Sequence, residues 1–69
     1  MNVVRLKVNG AAFEAESGST VEQVVGAVTP LSSGVAAAVN GAVIPRGQWA
    51  ATELRDGDQV EVVTAVQGG

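Results

Sequence analysis

Two kinds of group in this 69-residue sequence could do chemistry, its side-chain carboxylates and its C-terminus. The acidic residues are Glu14, Glu16, Glu22, Glu53, Asp56, Asp58 and Glu61. Asp56 and Asp58 stand two apart in Arg-Asp-Gly-Asp-Gln, a spacing at which two carboxylates could share a proton or a metal. A calcium site gathers six or more oxygens, far more than Asp-Gly-Asp offers. Asp and Gly also favour turns, so the expected role is a turn. Ser17, Ser19, Ser32 and Ser33 have no histidine to activate them, because the sequence contains none. Lys7 falls on the wet face of a strand, a poor place for an activating base. Without cysteine there is no thiol nucleophile, thiolate metal site or disulfide. No glycine-rich loop with a following lysine signals a nucleotide site.

The C-terminal stretch Thr-Ala-Val-Gln-Gly-Gly differs from the rest. Gly68 and Gly69 have no side chains, so the backbone could enter a slot too narrow for any other residue. Val66, Gln67, Gly68 and Gly69 in extended form would reach roughly 13–14 Å beyond a sheet. That length is enough to enter a partner's active site. The alternative for such residues is a frayed chain end.

The elements that must present this tail are legible from periodicity. Val4, Leu6 and Val8 alternate with Arg5 and Lys7, the period of a strand with one buried and one wet face. Asn9-Gly10, a strong hairpin signal, leads into Ala-Ala-Phe-Glu-Ala-Glu. There Phe13 and Ala15 are expected to face one way and Glu14 and Glu16 the other. Val21, Val24, Val25 and Val28 then form one stripe of a helix, capped by Ser19 or Thr20 with Glu22 or Gln23 three residues on. Valine and Gly26 make this helix weak by propensity, so it must be held by packing, and Pro30 ends it near Thr29. A strand, a second Asn-Gly at residues 40–41, a short strand closed by Pro45, a turn bearing Trp49 and a last valine-rich strand complete the order. One helix and five strands predict a two-layer α+β fold. If the last strand lies beside the first, the topology is a β-grasp with the terminal strands at the sheet centre. Residues 1–66 are expected to form one domain and 67–69 a flexible tail.

Composition limits the function. A chain of this length buries only about 60% of its unfolded surface, which leaves little room for an internal catalytic cavity. Only Phe13 and Trp49 are aromatic, and Trp49 is expected to plug the edge of the core rather than anchor a partner. Arg5 and Lys7 are expected to pair with acids across the hairpin. The net charge of −3, with no cluster of Lys or Arg, disfavours nucleic acid. No apolar run reaches the ~20 residues of a membrane span, and charges occupy the N-terminal positions where a signal peptide is apolar. A cytoplasmic protein is expected.

Val-Ala-Ala-Ala-Val-Asn-Gly-Ala-Val-Ile-Pro-Arg-Gly-Gln-Trp (35–49) and Glu-Leu-Arg-Asp-Gly-Asp-Gln-Val-Glu-Val-Val-Thr-Ala-Val-Gln-Gly-Gly (53–69) resemble the sulfur carriers of thiamine biosynthesis, within the ubiquitin-like β-grasp carriers. The resemblance covers nearly the whole chain and is most specific from Val35 to Gly69. It implies a non-enzymatic carrier with no bound cofactor. The carboxyl of Gly69 would be adenylated by a ThiF-like enzyme, which uses ATP and its metal, and a sulfur donor system would convert it to a thiocarboxylate. That group would then supply sulfur to a ThiG-like thiazole synthase. Gln67 and Gly68 would thread the tail into the partner's active site, and Ala65 and Val66 would meet the partner's surface. Ala11 and Ala42 depart from the acidic residue many members place after Asn-Gly, and the helix is Val-rich where Leu is usual. Two other readings are a carrier of the molybdopterin synthase small-subunit type and a ubiquitin-like modifier or binding module.

Overall fold

The computed structural model describes residues 2–30 and 33–64. Its elements are strands β1 (Val3–Val8), β2 (Ala11–Glu16), β3 (Val35–Val39), β4 (Ala42–Ile44) and β5 (Gln59–Thr64), the helix α1 (Val21–Val28) and a 3-10 helix at Arg46–Ala51. The strands form one sheet in the order β2-β1-β5-β3-β4. β5 runs parallel to β1 and antiparallel to β3, while each hairpin is antiparallel. The first and last strands are therefore neighbours near the sheet centre, as a β-grasp requires.

Both hairpins turn on Asn-Gly for the expected steric reason. Asn9 and Gly10 have φ of +52° and +83°, and Asn40 and Gly41 have +52° and +85°. A type I′ turn needs positive φ at both central residues, which Asn tolerates and Gly adopts freely.

The helix begins with a capping box. Thr20 accepts from the Gln23 N–H, and the Gln23 side chain accepts from the Thr20 N–H at 2.9 Å. Thr20 and Gln23 are thus the working pair of the two expected at each position. At the far end, the N–H of Thr29 donates to the Val25 carbonyl, one step before Pro30. Of the expected stripe, Val28 in the last turn is exposed, whereas Val21, Val24 and Val25 are buried against one sheet face. That face presents Val4, Leu6 and Val8 from β1, Val60 and Val62 from β5, and Ala37 from β3. Phe13 and Ala15 of β2 pack against the same core, while Glu14 and Glu16 face solvent.

Trp49 closes the core beside β4, and Leu54 closes it beside the start of α1. Trp49 is buried, and its indole N–H donates to the Ile44 carbonyl at 2.8 Å. The bond satisfies an edge carbonyl of β4 and orients the ring. The role of Trp49 as a core plug is therefore observed. Leu54 is 1% exposed, held by two backbone bonds that tie its segment to the start of α1. Its N–H donates to the Ser19 carbonyl at 2.8 Å, and the Val21 N–H donates to the Thr52 carbonyl at 2.9 Å. Among the described residues, no helix is long and apolar enough to cross a membrane.

Candidate functional site

The residues that the sequence marks as reactive or partner-facing, Ala65, Val66, Gln67, Gly68 and Gly69, lie outside the described residues. What the structure provides is their foundation, strand β5. Its Val60 and Val62 point into the core, while Gln59, Glu61 and Val63 point away from it. On the β1 side, the Lys7 N–H donates to the Asp58 carbonyl at 3.0 Å and the Asn9 N–H donates to the Val60 carbonyl at 2.9 Å. On the other side β5 pairs with β3 as far as Thr64, which lies opposite Val35. The strand leading toward the C-terminus is thus flanked on both sides.

The acidic side chains from which a conventional active site could be built have structural work instead. Asp58 accepts from the Arg55 N–H at 2.8 Å and from the Asn40 amide at 3.0 Å. Asp56 accepts from the Arg5 N–H at 2.7 Å. These bonds make the acidic turn a brace between the β1 backbone, the second hairpin and the start of β5, as the turn reading expects. Among the described residues, no group of three or more Asp, Glu, His or Cys gathers to hold a metal.

Arg5 meets Glu14 across the first hairpin at 3.4 Å, with both side chains well exposed. Lys7, in contrast, stands opposite Ala12, so the expected cross-strand charge pairing is realised for Arg5. Arg46 lies over the Trp49 ring, 5.1 Å from its centroid, within the range of a cation–π contact. Ser17 donates its N–H to the Asn2 carbonyl, and Ser19 presents its carbonyl to Leu54. Both contacts are backbone contacts and give neither hydroxyl a catalytic setting.

Two shallow hollows open on the surface. One of about 200 Å³ lies between β2 and α1, over Phe13, Val24 and Ala27. The other, about 210 Å³, lies on the uncovered sheet face among Ala36, Ala38, Val43, Glu61 and Val63. The first also has Ser19, Glu14 and Glu16 in its wall, but the Ser19 hydroxyl makes no hydrogen bond to either carboxylate, and the second holds no nucleophile.

Sequence reasoning did not single out Leu54 or the side chain of Asn9. Asn9 uses its amide on β5: Oδ1 accepts from the Val62 N–H at 2.9 Å and Nδ2 donates to the Val62 carbonyl at 3.2 Å. The Asn-Gly signal explains the turn fully and so hides this second use.

The mixed five-stranded sheet with one helix on its face defines a ubiquitin-like β-grasp protein. Its fold matches the crystal structure of a thiamine biosynthesis protein, ThiS, from Geobacter metallireducens with a TM-score of 0.80 and 29% identity, covering 96% of this chain and 100% of that one. The chain is 33% identical over 61 residues to the sulfur carrier protein ThiS of Escherichia coli, covering 88% of this chain and 92% of that protein. It is also 35% identical over 66 residues to a protein of Magnetococcus marinus named thiazole synthase. There the match covers 96% of this chain but only 20% of the larger protein. The family model of ThiS matches residues 4–69. The chain belongs to the ThiS family of sulfur carriers.

Proposed function

We propose that the chain carries sulfur for thiazole formation in thiamine biosynthesis as a thiocarboxylate on Gly69. The observation that carries this reading is the family match, which runs to Gly69 itself. A free carboxylate is a poor acyl donor because its oxygen is a poor leaving group. A ThiF-like partner would correct this: a Gly69 carboxylate oxygen attacks the α-phosphorus of ATP, pyrophosphate departs, and an acyl-adenylate forms. Sulfide-level sulfur (hydrosulfide) from a donor system then attacks the acyl carbon, and AMP leaves with the oxygen it gained. The product is a thiocarboxylate. ATP and its metal belong to the partner, and the carrier acts as a substrate without catalytic side chains of its own.

Absent side chains support the same choice. With no cysteine, the chain cannot hold sulfur as a persulfide. Gln67 and the glycines give the narrow profile needed to thread a partner's active site, and Ala65 and Val66 would meet its rim. The Magnetococcus marinus thiazole synthase contains a segment resembling this chain. Joining of the two in one protein supports a ThiG-like enzyme as the acceptor, and these partners suit a cytoplasmic setting.

Mass spectrometry tests the proposal. Incubation with a ThiF-like adenylating enzyme, ATP and a sulfur source should replace one oxygen by sulfur, and fragmentation should place it on Gly69. A variant lacking Gly69 should fold and remain unmodified. An unmodified wild-type carboxyl under conditions that sulfurate another ThiS protein would overturn the reading.

A further inference from the structure

The β1–β5 ladder continues one step beyond the β1 backbone. The Lys7 and Asn9 N–H groups donate to the carbonyls of Asp58 and Val60, so the next β5 residue facing β1 is Val62. By then the chain has turned away through Asn9-Gly10 into β2. The Asn9 carboxamide fills the vacated rung, accepting from the Val62 N–H at 2.9 Å and donating to the Val62 carbonyl at 3.2 Å. A carboxamide offers the same donor and acceptor as a peptide group. The Asn9 side chain thus acts as one extra residue of β1, two positions before Thr64.

The second hairpin provides an internal control. Asn40 has the same φ of +52°, and its side chain also binds β5, accepting from the Gln59 N–H at 3.0 Å while donating to Asp58. One asparagine holds the strand where it enters the sheet. The other holds it near its exit.

We propose that Asn9 is a positioning residue for sulfur loading: its amide fixes Val62 and so the end of β5 at Thr64, from which the sequence continues to Gly69. This inference rests on the carrier reading above. Without the amide, both backbone polar groups of Val62 lose their partner, while Glu61 and Val63 on either side stay opposite Ala38 and Ala36 of β3. A smaller fraction of molecules would then hold the end of β5 in the geometry a partner binds. Apparent affinity for a partner falls with that fraction, while the chemistry of a correctly seated terminus is unchanged. The signature is a raised KM with an unaltered kcat.

Asn9→Gly keeps a residue suited to positive φ and removes both bonds to Val62. Its Val62 amide should exchange about tenfold faster with solvent than in the wild type. KM for the carrier in pyrophosphate release by a ThiF-like enzyme should rise about tenfold at constant kcat. Asn9→Asp keeps an acceptor for the Val62 N–H but loses the donor, so its KM should fall between the two. Asn40→Gly and Asn9→Gly should lower the urea midpoint to a similar extent, but Asn40→Gly should leave KM at the wild-type value. Equal KM for Asn9→Gly and the wild type would overturn the inference, as would equal increases in Asn9→Gly and Asn40→Gly. Wild-type protein that is never adenylated would overturn the underlying reading instead, and Val62 exchange would still report the clamp.

Discussion

The two faces of the sheet follow different rules although the same strands build both. On the helix side, Val4, Leu6, Val8, Ala37, Val60 and Val62 meet Val21, Val24, Val25, Trp49 and Leu54, and among the described residues no polar side chain is buried. On the other side Arg5, Lys7 and Glu61 alternate with the exposed valines Val3, Val43 and Val63. Burial of apolar area is the main favourable term in folding, so stability resides on the covered face. The open face tolerates charge, and its ion pair of exposed side chains adds little. A small domain with one thin core can leave a whole sheet surface available to partners only because that surface contributes little to holding the fold together.

Substitutions can break or sharpen this contrast. The largest effect is expected for Leu54→Ala, which should cost about 2–5 kcal/mol in urea unfolding, a large part of the stability of so small a domain. Trp49→Phe retains most of the apolar bulk but removes the donor to Ile44, and should cost about 1–3 kcal/mol. Thr20→Ala opens the capping box and should cost about 1 kcal/mol. Gly26→Ala should have the opposite sign: the position is exposed, a Cβ there meets nothing within 4 Å, and a gain of about 0.5–1 kcal/mol is expected. Val63→Thr on the open face should change the midpoint least, by under about 0.5 kcal/mol. If it instead matched Leu54→Ala, the division of labour between the faces would be wrong.

These differences also explain what could be read in advance. Both hairpins were legible because Asn-Gly demands a backbone few other pairs accept. The helix was legible because its valine stripe and its capping residues agree on the same boundaries. Leu54 was not, because a single leucine between Glu53 and Arg55 has no periodicity. It is buried by bonds to Ser19 and Thr52, and those contacts are tertiary. The parallel β1–β5 pairing follows from element order alone, since no local signal specifies a neighbour so distant in sequence. For the proposed reactive end the balance is reversed. Composition and family resemblance mark Gly68 and Gly69, whereas the described structure reaches only to Thr64.

The central place of β5 has a consequence for biosynthesis. Ribosomes release a chain from its N-terminus, and both hairpins can pair as soon as they emerge. The seam between them cannot close, because Asn9 must wait for a partner 53 residues later. Until Gln59–Thr64 is free, β1 and β3 each lack their shared neighbour, and an unpaired strand flank invites association with other chains. The fold is therefore expected to lock only after Gln59–Thr64 has left the exit tunnel, with β5 serving as its final fastening.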